Sequence, residues 1–246
     1  MPLTPSPRLP DHLRYLVIEG VIGAGKTTLA KLLAKRFNAQ LVLEQFEENP
    51  FLERFYSDQE RWAFHTQLTF LASRFRQQKQ LATRDLFHDL TIADYAFDKD
   101  RIFADVTLHG DERTLYDTLY TIMEPATPVP DLVVFLQAST DRLLENIAQR
   151  GRSYEQAMER SYLDALSEAY TYYFFRYTKS PLLIINTTHI DFVANPHELD
   201  ELVHQITSVR NQGLTYFSPT RPSGHAPFTE QRPDASARKD EPNRYR

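Results

Sequence analysis

Nine residues constrain this chain more than any other stretch: Gly20-Val21-Ile22-Gly23-Ala24-Gly25-Lys26-Thr27-Thr28. They fit G-x-x-x-x-G-K-[ST], the pattern of a phosphate-binding P-loop. The run before it, Arg14 to Glu19, is short and apolar and reads as a buried strand, and the run after it, Thr28 to Phe37, has helical spacing. Strand, glycine loop and helix is the context this motif needs. Gly20, Gly23 and Gly25 leave room for backbone N–H groups to turn inward around an anion, with Ala24 and Thr28 in the same cradle. The helix begins at the loop, so its positive end faces the phosphates. Lys26 is expected to reach the β- and γ-phosphates, and the Thr27 hydroxyl to hold Mg²⁺. The bland alternative is a glycine turn that binds nothing. Both flanks weigh against it, as does the placing of three of the chain's seven glycines here.

With 246 residues the chain is long enough for one large α/β domain. Its net charge of −5 argues against a general nucleic-acid or membrane-surface binder, so an anionic substrate has to be attracted locally, by a loop and a few arginines. Cysteine is absent, which excludes disulfides, thiolate chemistry and cysteine zinc sites and fits a reducing, cytoplasmic setting. No apolar run approaches the ~20 residues of a membrane span. Residues 1–12 form a Pro-rich lead-in without the apolar core of a signal peptide.

Five apolar runs predict strands: Tyr15–Glu19, Gln40–Glu44, Leu90–Asp94, Leu132–Leu136 and Leu182–Asn186. Helical patterns separate them, which implies α/β architecture, a parallel five-stranded sheet with helices on both faces. Ligands then sit at the carboxyl ends of the strands. That makes Glu44 and Asp94 candidates and, with less reason, Glu19 and Asn186. The domain is expected over 13–210. Residues 211–246 are rich in Pro, Ser, Arg and Asp and read as a disordered polar tail.

Leu90-Thr-Ile-Ala-Asp94 has the form of a Walker B strand, whose Asp holds the metal directly or through water. Alone, such an Asp is usually a turn or cap. Glu44 is the carboxylate that directly ends its strand, placed to accept a proton from a hydroxyl as a phosphoryl group arrives; a surface salt bridge is the alternative. Glu47 and Glu48 read as solvated loop. Arg61 to Lys79 predicts a long helix. At ~100° per residue, Ala63, Phe64, Leu68, Phe70, Leu71 and Phe75 share one arc. Gln67 and Arg74 point into the middle of that arc, while His65, Thr66, Thr69, Ser73 and Arg76 lie opposite. A buried amide suits a nucleobase edge; Arg74 equally suits pairing with an internal carboxylate. Arg150-Gly151-Arg152 follows a helix over Asp141–Gln149 and suits a mobile clamp on phosphates, or only a solvated helix end. The aromatic run Tyr170 to Tyr177 reads as core or dimer packing. The eight histidines are scattered and suggest no transition-metal site.

Taken in order, these segments resemble the deoxynucleoside kinase family, in particular the bacterial deoxyadenosine/deoxyguanosine kinases. The resemblance runs from about Arg14 to Ile206 and rests on Gly20–Thr28, Leu43–Leu52, Phe55–Gln67, Ser73–Arg76, Asp94–Ala104, Arg150–Gln156 and Ile190-Asp191-Phe192. It implies that Glu44 lies beside the sugar 5′-hydroxyl, that Tyr56 and Glu155 hold the 3′-hydroxyl, and that Gln67 reads the base. Arg74 and Asp100 are similar to the buried charged pair beyond the base, which favours purines or cytosine over thymine; Asp98 is an alternative to Asp100. Arg150 and Arg152 match the lid arginines, and Asp191 and Phe192 the loop around the adenine of ATP. A homodimer is implied as well.

One departure stands out. Many relatives carry Glu/Asp-Arg-Ser after the third strand, where this chain has Asp94-Tyr95-Ala96. The missing arginine's charge has to come from Arg150, Arg152 or a nearby basic residue such as Lys99. Glu44 is the preferred base and Asp94 the preferred Mg²⁺ partner, with the reverse open. The expected activity is ATP- and Mg²⁺-dependent phosphorylation of a purine deoxynucleoside at its 5′-hydroxyl. Two rivals are an inactive P-loop relative, supported by the missing arginine, and a kinase for another acceptor such as a nucleoside monophosphate.

Overall fold

The computed structural model describes residues 10, 12–81, 88–155, 158–210 and 213–219. Its core is a parallel sheet of β1 (Tyr15–Gly20), β2 (Gln40–Val42), β3 (Thr91–Ala93), β4 (Leu132–Gln137), β5 (Leu182–Asn186) and β6 (Leu214–Phe217), in the order β2-β3-β1-β4-β5-β6. Successive residues of β1, β4 and β5, such as Leu16, Val17 and Ile18, are all buried, so the sheet is covered on both faces. The cover comes from α1 (Lys26–Phe37), α2 (Leu52–Ser57), α3 (Gln59–Leu81), α4 (Lys99–Thr107), α5 (Gly110–Met123), α6 (Thr140–Arg150), α7 (Arg160–Phe174) and α8 (Pro196–Ser208). No helix among the described residues is long and apolar enough to cross a membrane.

The sheet has six strands, not the five expected. The sixth, β6, lies inside the 211–246 stretch read as a disordered tail; it pairs with β5 from Leu182↔Leu214 to Ile185↔Phe217. Residues 220–246 and 1–9 lie outside the described residues. The strand order is what positions the site. β1 and β3 are neighbours, but the chain leaves β1 toward β2 and leaves β3 toward β4, on opposite sides. Their loops diverge, and a crevice opens at the carboxyl ends of the two strands.

Candidate active site

The crevice is floored by the loop between β1 and α1. Gly25 caps α1 in the left-handed region at φ 90°, and the Gly23 backbone has φ +86°. A Cβ on Gly23 would meet the Leu143 carbonyl oxygen of α6 at 2.6 Å, so the close approach of α6 requires glycine there. Asn146, also on α6, donates from Nδ2 to the Gly23 carbonyl at 2.8 Å. The Lys26 ammonium donates to the carbonyls of Gly20 (2.7 Å) and Val21 (3.0 Å). Burial first, then repulsion from Lys99, pulls Lys26 down to about 8, against the attraction of Glu19, Glu44 and Asp94.

Across the crevice, Asp94 follows β3. Its Oδ2 accepts from the Thr27 hydroxyl and its Oδ1 from the Glu44 N–H at 2.8 Å. Both candidate carboxylates therefore stand just beyond their strands, because the pairing of β2 and β3 stops short of them. Glu44 is gripped from two sides: Arg74 donates to Oε1 from Nε (2.9 Å) and Nη2, and Lys99 donates to Oε2. Burial alone would raise the Glu44 carboxyl, but Arg74 and Lys99 more than offset it and hold the group well below the usual carboxylate range. Arg74 also pairs through Nη1 with Asp100, and its guanidinium lies over the Phe70 ring at 4.5 Å.

Beyond Glu44 lies a pocket lined by Tyr56, Gln67, Phe70, Phe103, Glu155 and Tyr162, continuous with Lys26, Thr27 and Asp94. Gln67 is 1% exposed, and its Oε1 has no hydrogen-bond partner, a cost a ligand donor would remove. Glu155 forms the far wall. Arg150 binds its Oε2 from Nε (3.1 Å) and Nη2 (2.6 Å), Arg152 its Oε1 at 3.3 Å, and the Arg152 guanidinium sits 4.0 Å over the Phe46 ring. On the opposite side of the loop, a second cavity runs past Gly23 to Thr28, Arg142, Asn146 and Arg150 to Ile190, Asp191 and Phe192. The P-loop thus stands between two pockets, one of them lined by aromatic rings, Gln67 and the paired charges of Glu44 with Arg74 and Glu155 with Arg150.

The deoxynucleoside kinase family profile matches residues 16–211. The chain belongs to that family. Among its relatives, the deoxyadenosine/deoxycytidine kinase of Bacillus subtilis (strain 168) is 34% identical over 205 residues, covering 79% of this chain and 92% of the relative. The deoxyguanosine kinase of the same organism is 36% identical over 157 residues, 63% of this chain and 76% of the relative. Among solved structures, the deoxyadenosine kinase from M. mycoides with bound dATP superposes with a TM-score of 0.67 at 25% identity, covering 78% of this chain and 97% of that one.

This kinase places its sequence-read residues in one region. Glu44, Tyr56, Gln67, Arg74 and Glu155 line the aromatic pocket, and Gly23, Ala24, Gly25, Thr28, Asp191 and Phe192 the other. Asp100 is the partner of Arg74; Asp98, the alternative, binds Lys179, Tyr173 and Tyr120 instead. The Asp191 carboxylate is occupied by the N–H groups of Val193 and Ala194, so it shapes its turn. Asn186 does the same for Thr188. Glu47 and Glu48 are exposed, as read. Thr66, read as facing outward, is buried, because the segment before α2 covers that side of α3: Asn49 donates to the Thr66 carbonyl at 3.0 Å.

Two residues carry more than the sequence suggested. Glu19, wholly buried, accepts from the N–H of Gly20 (3.0 Å) and of Ala96 (2.6 Å), tying the loop after β1 to the one after β3. Burial raises its carboxyl, opposed by Lys99 and Lys26. The only signal was its place at the end of an apolar strand. Asn146 gave none, since its role depends on where α6 packs.

Proposed function

We propose that this kinase transfers the γ-phosphoryl group of ATP to the 5′-hydroxyl of a purine deoxynucleoside. The observation that carries the reading is Glu44, fixed where the aromatic pocket meets Lys26, Thr27 and Asp94. Gln67, with its unpartnered buried oxygen, faces a base edge, and Arg74 and Asp100 close that end. Tyr56 and Glu155 take the sugar 3′-hydroxyl. Relatives named for deoxyadenosine, deoxycytidine and deoxyguanosine support the acceptor class.

The 5′-oxygen bonds to the γ-phosphorus as the bond from that phosphorus to the bridging oxygen breaks, and ADP leaves with the electron pair. The hydroxyl proton passes to Glu44 and then to solvent. A carboxylate so strongly held in its ionised form is a weak base, so it orients the hydroxyl and takes the proton late. Lys26 and the lid arginines, Arg150 and Arg152, neutralise the phosphates, the arginines leaving Glu155 as the lid closes and water is excluded. The Thr27 hydroxyl and the Asp94 carboxylate, side by side, are the hard oxygen donors Mg²⁺ takes in company with phosphates. Bound there with ATP, the ion supplies charge neutralisation.

The setting we infer is cytoplasmic, where ATP is at hand. Exposed Leu115 and Ile122 on α5, Tyr172 on α7 and Phe175 just past its end support a homodimer. γ-Labelled ATP incubated with deoxyadenosine, deoxyguanosine, deoxycytidine, thymidine and dAMP tests the function. Label is expected in the purine nucleoside 5′-monophosphates. Label only in dADP would show a monophosphate kinase, and label in no nucleoside an inactive relative; either overturns the reading.

A further inference from the structure

Phosphoryl transfer needs positive charge close to the moving group. The segment after Asp94 supplies none. Tyr95 is fully buried, its hydroxyl donating to Gln77 at 2.5 Å, and Ala96 spends its N–H on Glu19. Arg150 and Arg152 are both held by Glu155 and reach the phosphates only on leaving it, whereas the charge of Lys99 is in place beforehand. Lys99 is placed differently. It is the first residue of α4, it is 5% exposed, and its ammonium binds Oε2 of Glu44. Burial and the positive end of a helix both work against a cation at this position. Packing alone therefore does not account for a lysine there; a carboxylate must offset it. Two do: Glu44 by direct contact and Glu19 through the field of Lys99, which opposes the rise of its carboxyl. The same field reaches Lys26, so the two ammonium groups bear on one part of the cavity.

We propose that Lys99 is a positioning residue for the transfer: it holds Glu44 by Oε2, opposite the grip of Arg74 on Oε1, and sets beside the P-loop lysine the positive charge that Asp94-Tyr95-Ala96 lacks. The proposal rests on the kinase reading above and deepens it. With Arg74 on one oxygen and Lys99 on the other, the carboxylate is held in one orientation as the acceptor hydroxyl arrives. Lys99 thus acts on the chemistry through Glu44.

The test compares full-length wild type with Lys99→Met and Lys99→Arg. Turnover and KM for deoxyadenosine are measured, with deoxyadenosine affinity by calorimetry and Tm by thermal melting. Transfer by the wild type is established first; its absence overturns the functional reading itself. Given transfer, Lys99→Met is expected to bind deoxyadenosine within about threefold of wild type and to lose ~10²-fold in kcat. Lys99→Arg, which keeps a cation on Glu44, restores most of the rate. Unchanged kcat in Lys99→Met overturns the proposal. So does a rate loss that arginine does not rescue, or one matched by an equal loss of nucleoside affinity. If Lys99→Met fails to fold, Lys99→Arg decides: kcat within about tenfold of wild type supports the proposal, and a ~10²-fold loss with affinity retained overturns it.

Discussion

Glu44, Arg74, Lys99 and Asp100 are ionisable side chains that are buried together, and none could be buried alone without a penalty of several kcal/mol. Their mutual pairing lets Glu44, the proposed catalytic carboxylate, stand beside Phe70, Phe103 and Tyr162 in the same pocket. Gln67 and Arg74 could be read from the sequence because a polar residue inside an apolar arc has to be explained. Lys99 could be suspected only from what its neighbours lacked, since its partner Glu44 lies fifty-five positions earlier. Lys26 carries a pH prediction. Burial and Lys99 pull it down to about 8, so in the nucleotide-free enzyme its ammonium loses its proton as pH rises through 8. Phosphates favour the charged form, so ATP binding takes up a proton above that pH. Affinity for ATP is expected to fall about tenfold from pH 7 to pH 9. Calorimetry in two buffers of different ionisation enthalpy measures the uptake; none at pH 8.5 would mean Lys26 is charged without help.

At the scale of elements, the β1–loop–α1 unit was legible entire, since its glycines, its apolar strand and its helical spacing are all local. The ends of β2 and β3 were not. Gln77 takes the Leu43 carbonyl at 2.8 Å and Asp94 takes the Glu44 N–H, so both strands stop before the residues that matter. β6 was missed for another reason. Leu214 and Tyr216 are about half exposed, so this edge strand shows no buried alternation, and its order comes from the backbone of β5. The loop also depends on α6, whose Leu143 carbonyl fills the space beside Gly23. Gly23→Ala combines a positive φ with a clash against backbone, and is expected to cost ~1–3 kcal/mol. Thermal melting should show Tm lower by several degrees, and calorimetry weakened ATP binding. Wild-type values for both would show that α6 does not hold the loop.

For the whole molecule, the order β2-β3-β1-β4-β5-β6 is what the sequence could not supply, because strand neighbours are chosen by packing across the chain. That order brings Gly20–Thr28, Glu44 and Asp94 to one crevice from three separate regions. It also makes β6 the cover of the outer edge of β5. Compared with a chain ended after residue 219, one ended after 212 bares that edge and is expected to melt several degrees lower. Equal Tm values for the two truncations would make β6 dispensable. The proposed pocket for sugar and base opens directly onto the P-loop, with Glu44 at the junction. Glu44→Gln, assayed for deoxyadenosine phosphorylation and for deoxyadenosine binding, tests that most directly. Turnover is predicted to fall by ~10²–10⁴-fold while the nucleoside still binds; turnover at the wild-type rate would contradict it.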